Sequence, residues 1–298
     1  MAVPSRDLGR RAFLARMGVL GAAAAVPALA APLAAPSAAA SPNLLPPLVG
    51  LLRPVLAELA RDTISGLVVM VCPGPDAYSK AQGTPRPEPG ALEARGADFM
   101  LDALDHFVPF PDQLATPLAA ALTTAVDDIG LPPPGLLGPL YPTVWSLDRV
   151  LQELLENDET LPLSLVVALL LNVVATQVNP LALNGPFLSP FARLTLDEKC
   201  RAFELLEGPD ADLVALLDSG LPEPLRSSIS GLLRFLAGAL LEFSAFGSYN
   251  EWGVYDGASR RLTERPVGWE LSGYQPDGVV DGWDDFLGYY EGRTEVEA

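Results

Sequence analysis

Residues 161–192 read LPLSLVVALLLNVVATQVNPLALNGPFLSPFA, with no Asp, Glu, Lys or Arg. The centre of the stretch, 165–174, is aliphatic at every position except Asn172. Such a run either spans a membrane or forms a helix buried on every side. Asn172, Thr176, Gln177, Asn179 and Pro180 cut the apolar run well below the roughly 18 residues that a span needs. The segment therefore predicts a fully buried central helix, and the flanking segments should pack around it.

Those segments read as helices separated by proline-rich breaks. On the C-terminal side, Thr195-Leu196-Asp197-Glu198 has the form of a capping box, which predicts a helix to Leu206 ended by Gly208-Pro209. Shorter helices are expected at 212–217 and, with Leu233, Leu236, Leu240 and Phe243 on overlapping faces, at 224–246. On the N-terminal side, Leu48, Leu51, Leu52, Val55, Leu56 and Leu59 make a helical stripe over 44–61, with Pro54 as a kink or a start. The run 64–71 suits a strand or a buried helix end, and it stops at Cys72-Pro73-Gly74-Pro75-Asp76. A loop to Gly90 precedes an amphipathic helix over 92–107, and another is expected at 115–129. Residues 131–142 are a Pro/Gly-rich connection, because Pro132, Pro133 and Pro134 remove donors and fix φ. Ser146 is expected to cap a helix running to Glu156.

Beyond Phe246 the character changes. Residues 243–290 hold eleven of the twenty-two aromatics, interleaved with glycine, which predicts irregular backbone packed under large rings. Part of this region should cap the helical core, and part should serve as an interface, since Trp and Tyr are enriched at binding hot spots. The expected interface rings are Phe246, Tyr249, Trp252, Trp269 and Tyr274. The expected fold is mostly α: a compact multi-helix bundle forming one domain over 41–298, with 247–298 as an irregular aromatic- and glycine-rich region.

The first forty residues read as a twin-arginine-type signal peptide. Gly9-Arg10-Arg11-Ala12-Phe13-Leu14 places paired arginines before Phe-Leu, and an uncharged alanine-rich stretch follows from Met17. Cleavage is expected after Ala30 or Ala40, the second being preferred, which places the mature chain outside the cytoplasm, in the periplasm, the cell envelope or the medium. The net charge is −18, and loss of the leader (Arg6, Asp7, Arg10, Arg11, Arg16) makes it about −21. Nucleic acid and anionic membrane surfaces are poor partners for such a chain. A mature chain of about 258 residues, nearly half apolar, is long enough to bury a real core. Cys72 and Cys200, the two cysteines, are open to two readings of equal weight: an exported disulfide or two small buried side chains.

No motif carries catalysis. The single histidine, His106, lies between Asp102, Asp105 and the apolar helix, and reads as a surface helix-end residue. A zinc or haem site lacks its ligands, since there is no Cys-x-x-Cys or His-Glu-x-x-His. Neither a Gly-x-Ser-x-Gly elbow nor a dinucleotide fingerprint is present. Asp277, Asp281, Asp284 and Asp285 lack the spacing of a calcium loop and read as a solvated acidic turn with Asp281 as N-cap.

Several stretches resemble the gluconate 2-dehydrogenase subunit 3 family. Pro89-Gly90-Ala91, Gly96 and Asp98-Phe99 are similar to its "PGA, then AG, then acidic-aromatic helix", with Arg95 departing from the AG pair. Phe191, Leu194, Lys199, Phe203, Leu206 and Glu207 follow its next helix, and Phe246-Gly247, Trp252-Gly253, Gly268-Trp269 and Gly273-Tyr274 its aromatic-glycine signatures. The likeness covers about half of the mature chain, and 131–188 has no counterpart in it. The resemblance implies a non-catalytic accessory subunit that partners, and is co-exported with, a flavin-dependent sugar or alcohol dehydrogenase. The FAD would belong to that catalytic subunit, and no cofactor to this chain. The residues alone leave a second role open, that of a stand-alone extracytoplasmic helical protein holding an apolar ligand between Leu-rich helices. An enzyme using Asp102, Asp105 and His106 is a third.

Overall fold

Helix α1 (Leu45–Val71) is the axis of the molecule, and it runs through Pro54 as one element. The run at 64–71, ambiguous in the sequence, is its largely buried C-terminal end. Ile64, Leu67 and Val68 are solvent-inaccessible there, as expected for a helix enclosed on all sides. The computed structural model describes residues 45–107, 162–183, 185–208 and 229–274. The leader with Arg10, Arg11, Phe13 and Leu14, the helices expected at 115–129, 146–156 and 212–217, the connection 131–142 and the Asp277–Asp285 cluster lie outside them.

Two short helices follow α1. Helix α2 (Ala77–Gln82) lies where the sequence suggested only loop, and Asp76 explains it. Its carboxylate accepts from the Ser79 amide at 2.8 Å and the Ser79 hydroxyl at 2.6 Å, an N-cap that offsets the cost of so short a helix. Helix α3 (Gly96–Asp102) begins four residues later than the amphipathic stripe suggested. Arg95 takes the left-handed conformation at φ 58°, which breaks the helix before Gly96. A π turn, Ala103–Phe107, closes the segment.

Helix α4 (Leu163–Val178) is the charge-free stretch, and it is buried along nearly its whole length. Its N-terminus is capped from a distance: the Asp105 carboxylate accepts from the Ser164 amide at 2.8 Å and the Ser164 hydroxyl at 2.9 Å. A 3₁₀ turn at Phe191–Arg193 leads to α5 (Leu196–Glu207), whose Thr195/Glu198 capping box forms as expected. Helix α6 (Ile229–Tyr249) follows, then a 3₁₀ turn Trp252–Val254, a two-stranded antiparallel hairpin of β1 (Tyr255–Asp256) and β2 (Arg261–Leu262), and α7 (Val267–Ser272). The protein is mostly α, as expected, and the small hairpin lies in the C-terminal region expected to be irregular.

The elements pack on α1, which contacts α2, α3, α4, α6 and the Phe191–Arg193 turn, while α5 bridges α4 and α6. Gly66 permits the closest of these approaches: a Cβ there would lie 2.7 Å from the Ala192 Cα. Phe191 is thereby fully enclosed, a burial contributing about 2–3 kcal/mol. Among the described residues no helix is long and apolar enough to cross a membrane.

The polar groups inside this core are tied together. Asn172 Oδ1 accepts from the Ser189 hydroxyl (2.7 Å) and the Phe191 amide (3.0 Å), and its Nδ2 donates to Thr63 at 3.0 Å. Asn172, one of the polar residues that interrupt the apolar run, is thus the anchor of the segment that follows α4. Buried Asp62 accepts from the Ser189 amide and the Tyr78 hydroxyl, both at 2.6 Å. Lys199 is solvent-inaccessible, with Nζ donating to the Gly66 carbonyl and to Gln82 Oε1, each at 2.7 Å, and lying 5.6 Å from the Phe191 ring centroid. Burial among neutral acceptors lowers its pKa to about 7, with distant Asp76 pulling weakly the other way.

Candidate partner interface

The aromatic region is assembled at the end of α6. A Cβ on Gly268 would lie 2.4 Å from the Tyr249 carbonyl oxygen, so only glycine lets α7 sit against the last turn of α6. From α3, Phe99 meets Phe246 at 5.6 Å and Trp252, edge-on, at 5.8 Å between centroids. Trp269 meets Tyr274 edge-on at 5.5 Å, and its indole N–H donates to Glu251 at 3.0 Å. These contacts make two groups of rings, and Trp252 of the first and Trp269 of the second line one cleft.

Much of the ring surface is wet. Phe246 is 61% exposed, Tyr249 50%, Tyr274 41% and Trp252 38%. Trp269, the fifth expected interface ring, is half-buried and supports the others through Tyr274 and Glu251. Tyr255 and Leu262, cross-strand partners in the hairpin, add to the exposed area without having been singled out in the sequence. Glu251, Trp252, Tyr255, Arg260, Leu262 and Trp269 frame a cleft of about 420 Å³, a size typical of ligand or side-chain pockets.

Arginines hold the rings in place. Arg95 lies 5.6 Å from the Trp252 centroid and donates to the Gly253 carbonyl at 2.9 Å. It also reaches Asp98 at 3.3 Å, and Asp98 takes a second bond from Arg61 at 2.5 Å. Arg61 first, then Arg95, hold the Asp98 carboxyl below its ordinary range. The residue that departs from the resembled AG pair is therefore the strut between α3 and the C-terminal region. Its sequence signal was modest: a cation three residues before an acid, at a helix start. Arg265 stacks on Trp269 at 5.7 Å and donates to the Tyr274 carbonyl.

A second cleft, of about 220 Å³, lies on the other side of Arg95, between α1, α2 and α3. Arg61 and Arg95 pair with Asp98 there, and Tyr78 donates to Asp62. Burial, reinforced by Asp62, pushes the Tyr78 phenol upward, so it stays a proton donor to that carboxylate. Neither cleft lies between Leu-rich helices.

The remaining candidates fall apart from one another. His106 is exposed and sits 3.1 Å from Asp102, whereas Asp105 is occupied in capping α4, so the three do not form one constellation. Cys72 is buried and Cys200 exposed; both are free thiols, and they are not bridged. Burial raises the Cys72 thiol, the direction of an unreactive side chain. Among the described residues no group of three or more His, Cys, Asp or Glu side chains is placed to hold a metal. No protein-family model, curated protein or solved structure matches this chain.

Proposed function

We propose that this chain is a non-catalytic accessory subunit that docks, and is exported with, an extracytoplasmic flavin-dependent sugar or alcohol dehydrogenase, whose catalytic subunit holds the FAD. The observation that carries the reading is the aromatic end of α6. Phe246, Tyr249, Trp252 and Tyr274 remain solvent-exposed while glycine contacts, arginine stacking and ring contacts hold the region in place. Exposing large rings costs free energy that a solvated loop would avoid, and fixed aromatic anchors lower the entropy lost on docking. The leader with Arg10 and Arg11 and the order of the family-like motifs point the same way.

The test is recovery of the native chain from its own cells. The expected result is co-elution with a flavoprotein showing dehydrogenase activity, and loss of both from the exported fraction after Arg10→Lys with Arg11→Lys. A chain that repeatedly isolates alone, while the oxidoreductase is exported and active without it, defeats the reading. A lipid or other apolar molecule carried by such a lone chain would support the ligand-binding alternative instead.

A further inference from the structure

Among the described residues, two that are not glycine hold a left-handed backbone: Arg95 at φ 58° and Arg260 at φ 56°. Both flank Trp252. Side chains other than glycine pay for that conformation, and such strain concentrates where a group must be aimed. Arg95 is spent internally on Asp98, Gly253 and the Trp252 ring. Arg260 is different. It closes the β1–β2 turn, lines the aromatic cleft, is exposed, and forms no ion pair among the described residues.

Two neighbouring carboxylates take hydrogen bonds from other groups. Glu251 accepts from the Trp269 indole. Asp256 accepts from the Ala258 and Ser259 amides and the Ser259 hydroxyl, which braces the turn that presents Arg260. The cleft thus holds one cation, Arg260, without an ion pair among the described residues, and one carboxylate, Glu251, on a chain whose net charge is −18. Its walls are rings and Leu262.

We infer that this cleft receives a surface segment of the catalytic subunit that presents a large apolar side chain beside a carboxylate. The side chain fills the space between Trp252, Tyr255, Leu262 and Trp269, and the carboxylate takes the Arg260 fork. Arg260 is the specificity contact: in an acidic protein it attracts an acidic segment that the rest of the surface repels. The inference rests on the accessory-subunit reading and names what the partner must offer.

The experiment uses the full mature chain and the flavoprotein that co-purifies with it, with dissociation constants measured at low and moderate salt. Arg260→Glu should weaken the complex by at least about tenfold and flatten its salt dependence, with Arg260→Lys losing much less. Arg260→Gly is the control for folding, because glycine relieves the left-handed strain. It should raise the melting temperature of the free chain while weakening the complex as strongly as removal of the charge. If Arg260→Glu and Arg260→Gly bind as wild type while Trp252→Ala does not, the aromatic docking face stands and the carboxylate contact is overturned. If the wild-type chain binds no flavoprotein, the accessory-subunit reading itself falls. If the free chain self-associates and Arg260→Glu dissolves that dimer, the occupant is a second copy and the inference is wrong.

Discussion

The core around Asn172 and Lys199 and the surface around Trp252 invert the usual placement of side chains, in opposite senses. In the first, polar and charged groups are buried among aliphatic ones, and the bonds described there satisfy them within the fold. In the second, large rings are left in water although neighbouring backbone is packed closely enough to demand glycine. The cost in the core is offset internally, so it belongs to stability and uniqueness of the fold. The cost at the surface is not offset within the described residues, and docking on the proposed partner is what would offset it.

The largest loss of stability is expected for Asn172→Leu. It strands the Ser189 hydroxyl and the Phe191 amide in a dry interior, and unfolding should become easier by about 4 kcal/mol, read by chemical denaturation. Lys199 provides the next test. Its folded pKa of about 7 lies below the ordinary lysine value of 10.5. Between those pH values the unfolded chain holds a proton that the folded chain has released, so stability should rise with pH across that window. The contribution is complete above 10.5 and lost as pH falls through 7. The slope should be on the order of 1 kcal/mol per pH unit, and Lys199→Met should flatten it.

At the surface the effects should move from folding to binding. Trp252→Ala removes a ring that Phe99 and Arg95 both touch, so it should cost the free chain about 1 kcal/mol and the complex about 2 kcal/mol or more, seen by comparing thermal melts with binding. The smallest change in stability is expected for Phe246→Ser, within about 0.5 kcal/mol, since that ring is mostly wet. The same substitution should still weaken docking. Equal destabilisation of the free chain by Trp252→Ala and Asn172→Leu would erase the contrast and make the aromatic end ordinary core.

Much of the helical architecture was legible because it rests on local signals. The Thr195/Glu198 box marked the start of α5, and the lack of charge over 161–192 marked the burial of α4. The misses were those in which one residue overrode a pattern. The stripe over 92–107 ran straight through Arg95, whose left-handed turn is held by partners as distant as Gly253. Helix α2 was hidden in a proline-rich stretch, although Asp76 and Ser79 stood at capping distance. The β1–β2 pairing is two residues long, too short for alternation to reveal.

For the site, the sequence located the aromatic region, but it treated Lys199 as a family-like basic position and passed over Arg260 altogether. Taken alone it determined the mostly helical class, the buried central helix and the C-terminal concentration of rings, because composition and periodicity act over neighbouring residues. Only the tertiary structure decided which rings stay wet, that a lysine is sealed in the core, that Asp105 caps α4, and that Arg260 stands unpaired beside Trp252 among the described residues. Those outcomes depend on close approaches between residues far apart in the chain, and no local spacing encodes them.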